Sequence, residues 1–130
     1  METMEKISVG DLSVGDWVRV IAQFSAQIDG YHSESGSLSL KTRQGHLVYY
    51  RLEDITPIPL TPEILEKNGF EIVDESADFQ LYGSPECSIF FTKGTVRYRL
   101  ETPQASVVCW NVHQLQHALR LAKVGKEIVL

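Results

Sequence analysis

Residues 56–70, TPIPLTPEILEKNGF, constrain this chain more than any other stretch, because three prolines and one glycine leave the backbone few choices. Pro57 and Pro59 fix their own φ and turn the preceding residue away from helix, so the run to Leu60 is extended. Thr61 stands where a hydroxyl caps a helix. Pro62 takes the first helical position, where a missing N–H costs nothing, and Glu63 sits at the positive end of the dipole. Lys67 suits the last turn, Gly69 the left-handed stop, and Leu60 can pack on Leu65 as a staple. The spacing predicts a helix over 62–68. At about two turns it is too short to stand alone and must dock. It divides the chain into a β-rich part, residues 1–56, and a mixed part, residues 57–130.

In the first part, Gly15-Asp16 is a turn and residues 17–24 alternate as one strand. Asp29-Gly30 is a hairpin signal before Tyr31. Ser35-Gly36 precedes SLSLK, where Leu38 and Leu40 share a face, and Gln44-Gly45 leads into a run over 46–52. Short strands with closely spaced turns predict a sandwich or small barrel. The length and the opening GDWVRV resemble an SH3-like barrel. Trp17, Tyr31, Tyr49 and Tyr50 suggest either an aromatic groove for proline-rich peptides or core filling, and core filling is the expectation. Lys41, Arg43 and Arg51 are expected on solvated sheet positions rather than in a nucleic-acid patch.

In the second part, residues 70–73 read as a strand, 74–78 as an acidic loop, and 79–82 as another strand. Residues 88–92 and 95–100 form a hairpin about Lys93-Gly94, with Val96, Tyr98 and Leu100 inward and Arg97 and Arg99 on the wet face. The apolar run 105–110 predicts a central strand. Asn111 and Gln114 have capping-box spacing, and Val112, Leu115, Ala118, Leu119 and Ala122 make one apolar face, so a helix is expected over 112–124, ended by Gly125. The tail KEIVL either adds an edge strand or docks.

Composition narrows the functional classes. Of 130 residues, 43% are hydrophobic, which suits a folded domain. No window reaches the ~18 consecutive apolar residues of a membrane helix, and METMEKISVG lacks a signal-peptide core, so a cytoplasmic, soluble protein with no membrane partner is the expectation. The net charge of −5 is shared by both parts and disfavours phosphate-backbone binding. Cys87 and Cys109 lack CxxC spacing and read as free thiols.

One constellation invites chemistry. His113 and His117 lie one turn apart, the spacing of a catalytic zinc helix, His-Glu-x-x-His. Here the second residue is Gln114, which takes no proton from water, and spacing indicates no third ligand among His32, His46, Glu86 and Cys87. His113, His117, Leu121 and Val124 instead form a second apolar stripe, expected to face the β-rich part, the short helix, a partner protein or a second copy. These four are the partner-binding candidates. No nucleophile elbow, P-loop or dinucleotide glycine pattern occurs. No catalytic residue, metal or cofactor is predicted.

PIPLTPEILEKNGF followed some forty residues later by VHQLQHALRL resembles a group of small uncharacterised proteins of phage and prophage type from gut anaerobes. The resemblance implies a shared fold and a mobile-element origin, and no activity.

The expectation is an α+β protein: a small SH3-like β-barrel unit, a capped short helix, then an antiparallel sheet with one packed C-terminal helix. The leading function is a non-enzymatic interaction module, as an accessory protein of a phage or mobile element. The alternatives are a nucleic-acid-associated regulator and a metal-dependent hydrolase using His113 and His117.

Overall fold

The computed structural model describes residues 9–130 except Ala22, and only the backbone of Val9. Residues 1–8, which belong to the stretch read above for a signal-peptide core, lie outside the described residues. Two antiparallel five-stranded sheets and two helices make an α+β chain. It divides into two compact units, the first ending at Ile58 and the second spanning Pro59–Leu130.

The first unit is a half-barrel sheet of β1 (Trp17–Val20), β2 (Phe24–His32), β3 (Ser37–Lys41), β4 (Leu47–Arg51) and β5 (Ile55–Thr56), in the order β4-β3-β2-β1-β5. Strand alternation turns Val18, Val20, Ala26, Ile28, Leu38, Leu40 and Ile55 to one side, where they bury one another. Leu12, Phe24, Val48, Tyr50 and Leu52 close around them. Each fully buried aliphatic side chain contributes roughly 1.5–3 kcal/mol relative to exposure.

Two turn readings are corrected here. Residues 17–24 are not one strand, because β1 ends at Val20, which pairs antiparallel with Phe24 of β2. Ile21 adopts φ 48°, its N–H donates to the Asp54 carbonyl (2.8 Å), and the Gln23 N–H donates to the Val20 carbonyl (2.9 Å). A β-branched residue in the left-handed region carries no glycine or asparagine signal to read. Conversely, Asp29-Gly30 is not a hairpin turn. β2 runs through it with a register shift between Ile28 and Gly30, which makes Asp29 a bulge. The reversal comes at residues 33–36, ending on Gly36 with φ +70°. Bulges and turns recruit the same residue types, so the dipeptide alone does not distinguish them.

The second unit contains α1 (Pro62–Lys67), β6 (Glu71–Glu75), β7 (Phe79–Gly83), β8 (Ser88–Thr92), β9 (Tyr98–Glu101), β10 (Ser106–Cys109) and α2 (Val112–Leu121), with sheet order β10-β9-β8-β7-β6. α1 follows its sequence signals. Thr61 Oγ1 accepts from the Ile64 N–H (3.2 Å), Pro62 opens the helix, and Gly69 takes φ +86°. The Phe70 N–H then reaches back to the Leu65 carbonyl (3.0 Å) and the Gly69 N–H to that of Glu66 (3.2 Å), a Schellman close with Leu65 and Phe70 both buried.

α2 begins as expected and stops early. Gln114 Oε1 accepts from the N–H groups of Trp110 (2.8 Å) and Asn111 (3.0 Å). The helix ends at Leu121 rather than 124, and Gly125 is not its stop. Lys123 occupies the left-handed position (φ 56°), and the Val124 N–H donates to the Leu119 carbonyl (2.9 Å). The same Schellman geometry is thus built on a lysine.

Three further readings change. β10 is an edge strand, not a central one, and its neighbourhood continues through Leu60 N–H donating to the Trp110 carbonyl (2.9 Å). β9 starts only at Tyr98, leaving Val96 60% exposed in the turn. β6 extends to Glu75, taking in the first two residues of the expected acidic loop. The core row across the sheet is Tyr82, Ile89 and Leu100, all essentially inaccessible, with Tyr98 stacked on Phe91 (4.5 Å between ring centroids). Burial raises the Tyr82 pKa, and the negative charges of Glu66, Glu75 and Glu63 add to the shift.

Beyond α2 the chain has no regular structure and docks rather than adding a strand. Asn68 Nδ2 donates to the carbonyls of Ile64 and Val129 (both 2.8 Å), and Asn68 Oδ1 accepts from the Val129 N–H (2.7 Å). No helix among the described residues is long and apolar enough to cross a membrane.

Candidate functional site: the open face of the second sheet

The four helical candidates occupy unlike environments. His113 is buried, His117 and Val124 are half-buried, and Leu121 is 81% exposed. The two imidazoles meet edge to face, 5.8 Å apart and at 81°, rather than pointing at a common centre. Gln114, in the position of the motif's general base, is used by its carbonyl oxygen to cap the helix. Among the described residues no three His, Cys, Asp or Glu side chains form a group able to hold a metal.

The first-unit candidates do not converge either. Trp17 and Tyr49 lie on the outer side of the half-barrel by register, whereas Tyr31 and Tyr50 lie on the side of Leu38, so the four build no groove. Tyr50 packs edge-on against Phe24 at 6.1 Å. Lys41 stands opposite Leu47 and Arg51 opposite Ser37, at opposite ends of β3, with Arg43 in the turn beyond. The outer side does hold a polar cluster that sequence reasoning missed. Buried Ser39 Oγ lies 3.2 Å from His32 Nε2 and 3.3 Å from Asp29 Oδ2, beneath the bulge. The aspartate bonds the serine rather than the histidine. The hydroxyl therefore gives its proton to the carboxylate and receives one from the imidazole, a structural bridge and not a nucleophile–base–orienter relay.

The feature with the clearest binding character lies in the second unit. Opposite the core row, cross-strand register lines up Asp74, Leu81, Phe90, Arg99 and Val108 from β6 to β10. Phe79 stacks on Phe90 at 4.9 Å, and the Arg99 guanidinium lies over the Phe90 ring at 4.9 Å while its Nε pairs with Glu101. Val73, 63% exposed, leans over Gly83, where a Cβ would come within 3.1 Å of it. Leu81, Phe90 and Val108 remain half-buried. An antiparallel sheet with helices on one face ordinarily turns polar residues outward on the other. This one presents aromatic and aliphatic side chains ringed by Asp74, Arg99 and Glu101.

Arg97 and Arg99, read as a basic wet face, are divided between an exposed turn residue and an arginine already committed to Phe90 and Glu101. In the acidic stretch, Lys93 Nζ lies 2.8 Å from Glu75, and its hydrogen bond holds that carboxyl below the usual range. The thiols are not activated. Burial pushes Cys109 up to about 11 and raises Cys87, so both stay protonated near neutrality.

The signal for the open face was present in the sequence as SIFFT and SVVC, whose consecutive apolar residues face both ways from a strand. Such runs read equally well as central strands, the reading that the sequence favours for 105–110. No family model, curated protein or solved structure matches this chain.

Proposed function

We propose that the protein is a non-enzymatic interaction module that docks a partner protein on the open face of its second sheet. The observation that carries this is the cross-strand row Leu81, Phe90, Arg99 and Val108, apolar but for an arginine laid over its phenylalanine, with Asp74 at the β6 end and Glu101 beside it. Protein-binding surfaces have that composition: aromatic and arginine anchors inside a polar border. Leu121, exposed near the end of α2, offers a second apolar contact. The half-barrel is read as an SH3-like unit and the protein as an accessory of a phage or mobile element on the strength of the sequence resemblances above, and the cytoplasmic setting on the sequence's lack of a membrane-length apolar run and of a signal-peptide core.

The test compares the wild-type chain with a Leu81→Lys/Val108→Lys variant as baits in host lysate, identifying captured protein and nucleic acid. A protein retained by the wild type and lost by a variant with unchanged circular dichroism supports the reading. Equal retention of the same proteins by both baits, or capture of oligonucleotide alone, overturns it.

A further inference from the structure

We infer that the groove formed by the end of α1, Phe70 and Glu86 is a binding site for an extended peptide. In this structure residues 126–130 of the chain itself fill it. The partner it fits is a protein segment with a lysine or arginine two residues before an isoleucine, leucine or valine.

The way this segment is held supports the inference. Lys126 and Ile128 turn inward, with the lysine side chain 17% exposed and Ile128 3% exposed, while Glu127 and Val129 turn outward. That period of two is the signature of an extended strand, yet the segment belongs to neither sheet. Its neighbour is a side chain. Asn68 receives the Val129 N–H on Oδ1 (2.7 Å) and donates Nδ2 to the Val129 carbonyl (2.8 Å). A carboxamide gripping one residue's two main-chain groups mimics an adjacent strand and is indifferent to the side chain carried there. This is the logic of peptide sites that take affinity from the backbone and specificity from alternate side chains. Specificity comes from the inward pair. The Lys126 ammonium lies over the Phe70 ring at 5.1 Å and 3.9 Å from Glu86, which selects a cation. Ile128 selects an aliphatic residue.

Gly69 has a second role here, because a Cβ on it would stand 3.3 Å from Lys126 Nζ. The attachment of the segment to α2 favours exchange. Lys123 holds a left-handed backbone, Gly125 has open space around it, and a hollow of about 140 Å³ lies among Gln116, Arg120, Val124 and residues 125–128. A partner peptide of the same pattern competes with a tethered segment whose effective concentration is in the millimolar range.

The experiment uses the full chain and a fluorescent synthetic peptide of sequence VGKEIVL. In an Ile128→Asp variant, whose own segment is released, the peptide binds at least tenfold more tightly than to the wild type. Changing the peptide's lysine to glutamate or its isoleucine to aspartate weakens binding at least tenfold, and adding Asn68→Ala to the protein does the same. The inference is overturned if the released variant keeps its circular dichroism and melting transition but binds no peptide. It is equally overturned if binding survives Asn68→Ala. Should Ile128→Asp unfold the chain, millimolar peptide is titrated into isotope-labelled wild-type protein. A shifted Asn68 side-chain amide resonance supports the site, and an unmoved one overturns it.

Discussion

Two residues in the same place, in two helices of one chain, show how much a single φ angle carries. Gly69 and Lys123 both occupy the left-handed position of a Schellman close, at +86° and +56°. For an L-residue that conformation costs roughly 1–2 kcal/mol, part of which glycine returns through its greater freedom in the unfolded chain. Replacing Lys123 with glycine is therefore expected to stabilise the protein by about 0.5–1 kcal/mol, and replacing Gly69 with alanine to destabilise it by about 1 kcal/mol or more. Denaturant midpoints of the two variants check both signs, and equal effects from both would contradict the account. The contrast also explains what the sequence could reveal. Gly69 announced its helix end, whereas Lys123 gave no sign and the end of α2 was placed at Gly125. Ile21 concealed a hairpin in the same manner.

At the scale of elements, local signals were legible wherever a side chain served the backbone directly. Thr61, Pro62 and Gly69 bounded α1, and Asn111 with Gln114 opened α2. Gln114 binds two N–H groups at once, so Gln114→Ala should cost about 1 kcal/mol and fray the first turn of α2. Hydrogen exchange at the Trp110 and Asn111 amides measures this. Unchanged protection there would show that the cap contributes nothing. Pairing between strands was less legible. The order β10-β9-β8-β7-β6 and the edge position of β10 depend on contacts distant in sequence, and a run such as ASVVCW is equally apolar whether neighbours flank it on one side or two. The candidate face suffered most from this. Its row of Leu81, Phe90, Arg99 and Val108 draws one residue from each of four strands, and no local window contains it. The Asn68 clamp on Val129, spanning 61 positions, was likewise invisible, although docking of the tail was one of its two expected fates.

For the molecule as a whole, buried acids with raised pKa values set an upper limit on pH. Burial, the first cause in each case, pushes the Tyr98 hydroxyl up to about 12 and the Cys109 thiol from its ordinary 9.0 up to about 11. In the unfolded chain Cys109 ionises near 9, while the folded chain keeps it neutral two units longer, so alkali favours unfolding. Stability is full below pH 9 and declines as pH rises through 11, with Cys109 alone accounting for about 1 kcal/mol at pH 10. Urea midpoints at pH 8 and pH 10 should show this loss, and Cys109→Ala should reduce it. A midpoint that does not fall between the two pH values would refute the assignment.

The bulge at Asp29 has a consequence for which changes of length the first unit tolerates. Ahead of it, even-numbered residues of β2 (Ala26, Ile28) point to the core; past it, Tyr31 stands on the side of Leu38. Losing Asp29 would leave inside and outside unchanged, because Ile28 already pairs with Leu40 and Gly30 with Ser39; the ladder would close into regular register, and what would go is the carboxylate that accepts from Ser39. The loop at 33–36, only a few positions on, has no parity to protect. Natural variants of such a fold should accordingly change length at the loop, and within the strand only by losing the bulge residue.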